Sequence, residues 1–221
     1  MQTFDTTAPI SAVLDVPAGR VQIIAADRAD TTVEVLPSDA SKGRDVTAAE
    51  QTRVEFGDGV LRIEVPEKNQ FLGASGSVEV TVRLPAGSRV EARTAAAEFR
   101  GVGRLGDVAH EGAQGPVKLD EAASARLTTA AGDISVGRLD GPAEISVQKG
   151  DIRIAEAVRG ALVLRTRSGD ITVGAAAGVS AALDSGTGHG RVHNALKNAD
   201  GAPALTIHAT TDHGDITARS L

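Results

Sequence analysis

Cysteine, tryptophan and tyrosine are absent from the 221 residues, and phenylalanine occurs four times. Without a thiol the chain can form no disulfide, no thiolate zinc site and no cysteine nucleophile. With aromatics at 2% it also lacks the ring platforms on which sugar-binding clefts and single-stranded nucleic-acid grooves depend. An excess of positive charge is missing too: the formal net charge is -6 and no Lys/Arg cluster occurs. Nucleic-acid affinity comes mainly from phosphate neutralisation, so that class of partner is set aside. No segment approaches the roughly 20 apolar residues of a membrane helix, which excludes membrane insertion through a helix. The start, Met1 to Asp5, has no basic region followed by an apolar run; this predicts a soluble chain that stays in the cytoplasm, with non-classical export as the alternative. No P-loop, dinucleotide-binding glycine motif or Gly-x-Ser-x-Gly elbow is present.

What the chain does have is a repeat. Aligned on one small residue, the units read Ala97-Glu98-Phe99, Gly115-Pro116-Val117, Gly132-Asp133-Ile134, Gly150-Asp151-Ile152, Gly169-Asp170-Ile171, Gly190-Arg191-Val192 and Gly214-Asp215-Ile216, at steps of 18, 17, 18, 19, 21 and 24 residues. A drifting period near 20 marks a solenoid, in which each unit buries its apolar side only against neighbours. Within a unit the apolar residues alternate with polar ones on both sides of the glycine, as half-buried strands require. No helical periodicity fills the returns. The pattern therefore predicts an all-β protein: a right-handed parallel β-helix of about seven coils over residues 89–221, with a core of Ile, Val, Leu and Thr. Residues 1–88 hold longer alternating runs, at Val21 to Ile23, Thr32 to Val35, Val60 to Val65 and Val78 to Val82. They are expected to form an N-terminal β-strand cap over the open end, in one continuous structural unit. Two apolar-Pro-Ala-Gly stretches, ending at Gly19 and Gly87, read as turns.

The repeated Gly-Asp-Ile, at 132, 150, 169 and 214 and continued as x-Val at 132 and 169, follows a β-rich start that ends in Val80 to Gly87. In this the chain resembles the bacterial putative-adhesin family of β-strand repeats, a domain of unknown function, from about residue 10 to 219. The long outer faces of such a solenoid, with polar side chains in columns, are expected to serve as a non-enzymatic binding or scaffolding module of the putative-adhesin type, acting through protein contact or self-association. The resemblance carries over no catalytic residue.

Several residues are candidates for a site. Alternation turns Ile134, Ile152 and Ile171 inward, so Asp133, Asp151 and Asp170, with Asp215 further on, should stack outward about 4.8 Å apart. That column would either cap turn backbone or hold a cation such as Ca²⁺. In the second case the alternative function is a calcium-dependent polysaccharide lyase or hydrolase-like β-helix enzyme with Arg153 beside the carboxylates. His189 and His213 share one repeat position and His193 faces outward nearby, a set that could ligate Zn²⁺ with Asp212 close by. The bland reading, a solvated turn and no cofactor, is the preferred one for both columns. Phe71 and Leu72, in a polar stretch, either cover the end of the core or form a partner-binding contact. Finally, no polar capping segment follows Ile216, which predicts that the last coil in sequence associates end to end or is covered by the bulged loops.

Overall fold

Alternation becomes strand almost everywhere in the computed structural model, which describes residues 1–66, 76–198 and 202–221. The chain divides into two compact units, Met1–Gly115 and Pro116–Leu221. The first holds β1 (Gln2–Asp5), β2 (Ser11–Ala26), β3 (Asp30–Pro37), α1 (Gly43–Gln51), β4 (Arg53–Gly57), β5 (Val60–Glu64), β6 (Val78–Pro85) and β7 (Arg89–Gln114). The second holds β8 (Val117–Ala131), β9 (Ile134–Leu139), β10 (Ala143–Lys149), β11 (Ile152–Ala157), β12 (Gly160–Ser168), β13 (Ile171–Ala175), β14 (Ala181–His189), β15 (Val192–Ala195), β16 (Leu205–His213) and β17 (Ile216–Ser220).

In the first unit β2 is central. Ser11 to Asp15 pairs in parallel with β5, Gly19 to Ala26 pairs in parallel with β6, and nearly the whole strand pairs with β7 on its other side. Pro17 lies between these two stretches and is skipped by the β7 ladder. A residue with no N–H costs the ladder nothing there, so the expected turn is instead a corner within one continuous strand. β3 runs antiparallel to β6 and to β1, and β4 antiparallel to β5. Thus β5 and β6, later in sequence, lie outside β2. The core is formed by Leu14, Ile23, Leu61, Ile63, Leu84 and Phe99, each at most 1% exposed. One element went unread in the sequence: α1, whose residues 43–51 carry little apolar patterning. Its buried Asp45 accepts a hydrogen bond on Oδ1 from the Ser77 N–H, 3.0 Å away, so the helix is held by one polar tie more than by an apolar stripe.

The second unit is a stack of rungs, each a strand, a corner and a second strand. On the first side of the corner β8, β10, β12, β16 and β14 pair in parallel. On the second side β8, β9, β11, β13, β17 and β15 do the same. Register lines up the predicted anchors: Val117, Ile134, Ile152, Ile171, Ile216 and Val192 fall in one column. All but Val192 are buried, and each such side chain contributes roughly 1.5–3 kcal/mol.

The order of those rungs differs from the order in sequence. β16 lies between β12 and β14, and β17 between β13 and β15. The expectation that the last repeat forms the exposed end is therefore corrected: it is an interior rung, and the outermost one is Ala181 to Ala195. Composition explains why that rung can face solvent. Where interior rungs place Leu127, Ile145, Leu164 and Ala209, it places Ser185. Asn194 takes the position of Val136, Ile154, Val173 and Ala218. Val192, 45% exposed, keeps the apolar character of its column and ends it.

The corner tolerates only glycine. Gly169 has φ +152°, and a Cβ built there would sit 2.1 Å from the carbonyl oxygen of Gly150 on the adjacent rung. Gly186, on the edge strand β14, has nothing within 4 Å. Gly169→Ala is accordingly expected to cost about 3 kcal/mol in urea unfolding, and Gly186→Ala to stay within about 0.5 kcal/mol of the parent. Equal effects would mean that the corner is not close-packed.

Candidate functional site

The Asp-Gly corner is the most organised polar feature of the second unit. Asp133, Asp151, Asp170 and Asp215 are all exposed and stand on successive rungs, as alternation predicts. Their carboxylates are already employed. Asp133 Oδ1 accepts the Asp151 N–H at 3.0 Å, Asp151 Oδ1 the Asp170 N–H at 2.8 Å, Asp170 Oδ1 the Asp215 N–H at 2.7 Å, and Asp215 Oδ1 the Arg191 N–H at 2.8 Å. Like charges one rung apart repel by roughly 0.9 kcal/mol in water. A charge-assisted hydrogen bond to backbone returns roughly 1.5–3 kcal/mol, so the ladder is favourable without a cation.

A second column closes the corner from inside. The hydroxyls of Thr166, Thr211 and Thr187 donate to the carbonyl oxygens of Gly150, Gly169 and Gly214, at 3.0, 3.1 and 2.9 Å. Alternation alone assigns this column to core filling; its regular place three residues before each glycine is the signal that it also pairs backbone. The ladder carries a second signal. Each Asp serves the N–H of the next rung outward, so the outermost rung needs none, and Arg191 stands there.

The histidines come together only in part. The His189 and His213 rings stack, with centroids 4.7 Å apart and planes 18° from parallel. His193 is opposite Thr217 on the second side of the corner, and Asp212 is drawn toward Arg167, 3.8 Å away. Among the described residues no group of three or more His, Asp or Glu side chains is arranged to hold a metal ion. A shallow open depression of about 290 Å³ lies beside the stack, lined by Gln148, Lys149, Arg167, Ser168, Asp212 and His213. The outer face of the first-side strands carries further charge in register: Arg126 and Arg165 both reach Glu144 at 3.8 Å, and His208 reaches Asp184 at 3.2 Å. Phe71 and Leu72 lie outside the described residues.

The first unit also buries a histidine that the residue pattern does not single out. His110 is 5% exposed, packs against the Phe99 ring at 5.0 Å, and shares a hydrogen bond of 3.2 Å between Nε2 and Thr94 Oγ1. Burial disfavours the imidazolium and pushes its pKa down to about 4. No signal in the sequence distinguishes this His from a surface one, because its burial depends on Thr94 and Phe99, 16 and 11 residues earlier in β7, being brought against it.

These features define an all-β, solenoid-like protein built of parallel rungs closed by glycine corners. The chain belongs to the Toastrack DUF4097 family, whose model matches residues 12–219. Among solved structures it is similar to a Parabacteroides distasonis protein described as a putative adhesin, at 15% identity over 98% of this chain and 95% of that chain, with a TM-score of 0.47. A protein described in the same way from Bacteroides fragilis shares 11% identity over 98% and 95%, TM-score 0.46. A Clostridium sporogenes protein described as a putative cell adhesion protein shares 11% over 100% and 98%, TM-score 0.44. No curated protein matches the chain. No helix among the described residues is long and apolar enough to cross a membrane.

Two measurements test this description. Asp151→Ala is expected to lose about 1–2 kcal/mol in urea unfolding, whereas Asp151→Asn, which keeps an acceptor oxygen, should lose less than half of that. Equal losses would mean that the carboxylate does not accept the Asp170 N–H. For His110 the ordinary value of 6.5 in the unfolded chain exceeds the folded value of about 4, so the unfolded state binds the proton more tightly. Stability is therefore full above pH 6.5 and falls by about 3 kcal/mol as pH drops toward 4. His110→Gln should flatten that part of the pH profile; an unchanged slope would show that other groups cause it.

Proposed function

We propose that the chain is a non-enzymatic binding and scaffolding module that works through protein contact or self-association. In this reading the rungs wind as a right-handed parallel β-helix and present outward side chains at fixed spacing. The observation that supports it is the Asp ladder. The carboxylates that a lyase would aim at substrate or calcium are turned to backbone N–H groups of the next rung, which makes them structural. What remains outward is a rigid grid of ion-paired side chains on β8, β10 and β12, suited to contact with another protein surface.

This reading assigns no cation to either column. Thermal unfolding in EDTA and in millimolar Ca²⁺ or Zn²⁺ is expected to give one midpoint, because a ligand at about 100 times its Kd would add roughly 2.7 kcal/mol and move it by several degrees. An upward shift that vanishes in Asp151→Asn or His213→Ala would make one column a metal site. Release of unsaturated sugar ends from acidic polysaccharide in the presence of Ca²⁺ would overturn the non-enzymatic reading altogether. Concentration-dependent association in EDTA, seen by sedimentation, is the result that supports it.

A further inference from the structure

We infer that self-association, where it occurs, proceeds by exchange of the segment from Leu205 onward between two copies of this chain, not by docking of their outermost rungs. The inference rests on the proposed scaffolding role and names its partner and its site. The site is the slot that β16 and β17 fill between β12–β13 and β14–β15.

Three observations point to the slot. First, its occupant is held on both sides: β16 pairs with β12 from Leu205 to His213 and with β14 over the same residues. Leu205, Ile207, Ala209, Ile216 and Ala218 are each at most 1% exposed. A slot so fully matched to one sequence is matched equally to that sequence in another copy, which is why exchange of an identical element needs no new surface. Second, the outermost rung offers little to an end-on neighbour. Ser185 and Asn194 stand where deeper rungs place apolar residues, and Val192 is its one exposed large apolar side chain. Third, the two walls of the slot share one frame. Ala161 of β12 and Ala182 of β14 both pair with Thr206, so an incoming copy of the segment meets the same register on both sides, and the Asp ladder offers its Asp215 N–H the same acceptor, Asp170 Oδ1.

Because the chain has no cysteine, introduced cysteines report only where they are placed. Ser168 and His213 are opposite each other across β12 and β16, and both are exposed. The full-length double variant Ser168→Cys/His213→Cys is expected to close an intrachain disulfide, which calibrates the pair. The two single variants, unfolded together and refolded at high concentration to offset the advantage of the tethered segment, are expected to form a dimer. In that dimer, cross-linking between the two variants should exceed that of either variant alone at least tenfold. A dimer without this preference would overturn the exchange and leave self-association standing. A chain that stays monomeric at every concentration would overturn the exchange and self-association together, leaving contact with a different protein as the scaffolding role.

Discussion

Everything in the second unit depends on one device, the Gly-Asp pair at the corner. A glycine there does more than adopt an unusual φ. The Cβ it lacks would lie 2.9 Å from the carboxylate oxygen of the preceding rung, at both Gly169 with Asp151 and Gly214 with Asp170. The space left by the glycine is the space through which the aspartate reaches the next N–H. The two residues therefore act as one unit: put a side chain in place of the glycine hydrogen and the ladder cannot form, remove the carboxylate and the corner N–H loses its acceptor. Apolar burial supplies more energy per residue, but it does not choose a register. A shift by one residue would put the isoleucines outside and the aspartates inside, and the corner forbids it.

That regularity has a consequence for topology. Rungs joined by the same backbone pairs, the same Thr-to-Gly bond and the same Asp-to-N–H bond are nearly interchangeable, so pairing alone does not dictate which rung neighbours which. In both units a strand pairs on two sides with segments that are not its sequence neighbours: β2 between β5–β6 and β7, and β16–β17 between earlier rungs. The differences that break the degeneracy sit on the outermost rung, in Ser185, Arg191 and Asn194. Each is the residue that an interior position would reject, because it would bury an unpaired polar group or leave a neighbouring N–H without an acceptor.

The same economy bears on function. A face whose carboxylates hold the backbone has fewer groups free for chemistry, and several of the remaining charges pair across neighbouring strands. The result is a stiff, polar, aromatic-poor surface. Such a surface suits recognition by shape and charge pattern, as the proposed scaffolding role requires.

Strand positions, the inward isoleucines and the outward aspartates were all legible in the chain itself, because period-2 alternation and a glycine every 20 residues or so are local properties with one physical solution each. The neighbouring positions of His189 and His213 followed from the same frame. The place of the last repeat did not. It depends on which of several near-equivalent edges a strand meets, a choice made by connections and by the solvent exposure of whole rungs. Nor could the burial of His110 be read, since it needs Phe99 and Thr94 brought over it from other turns of β7. Repetition wrote the rung into the residues; only the packed chain, in which polar end residues must face water and matched ones must not, put the rungs in order.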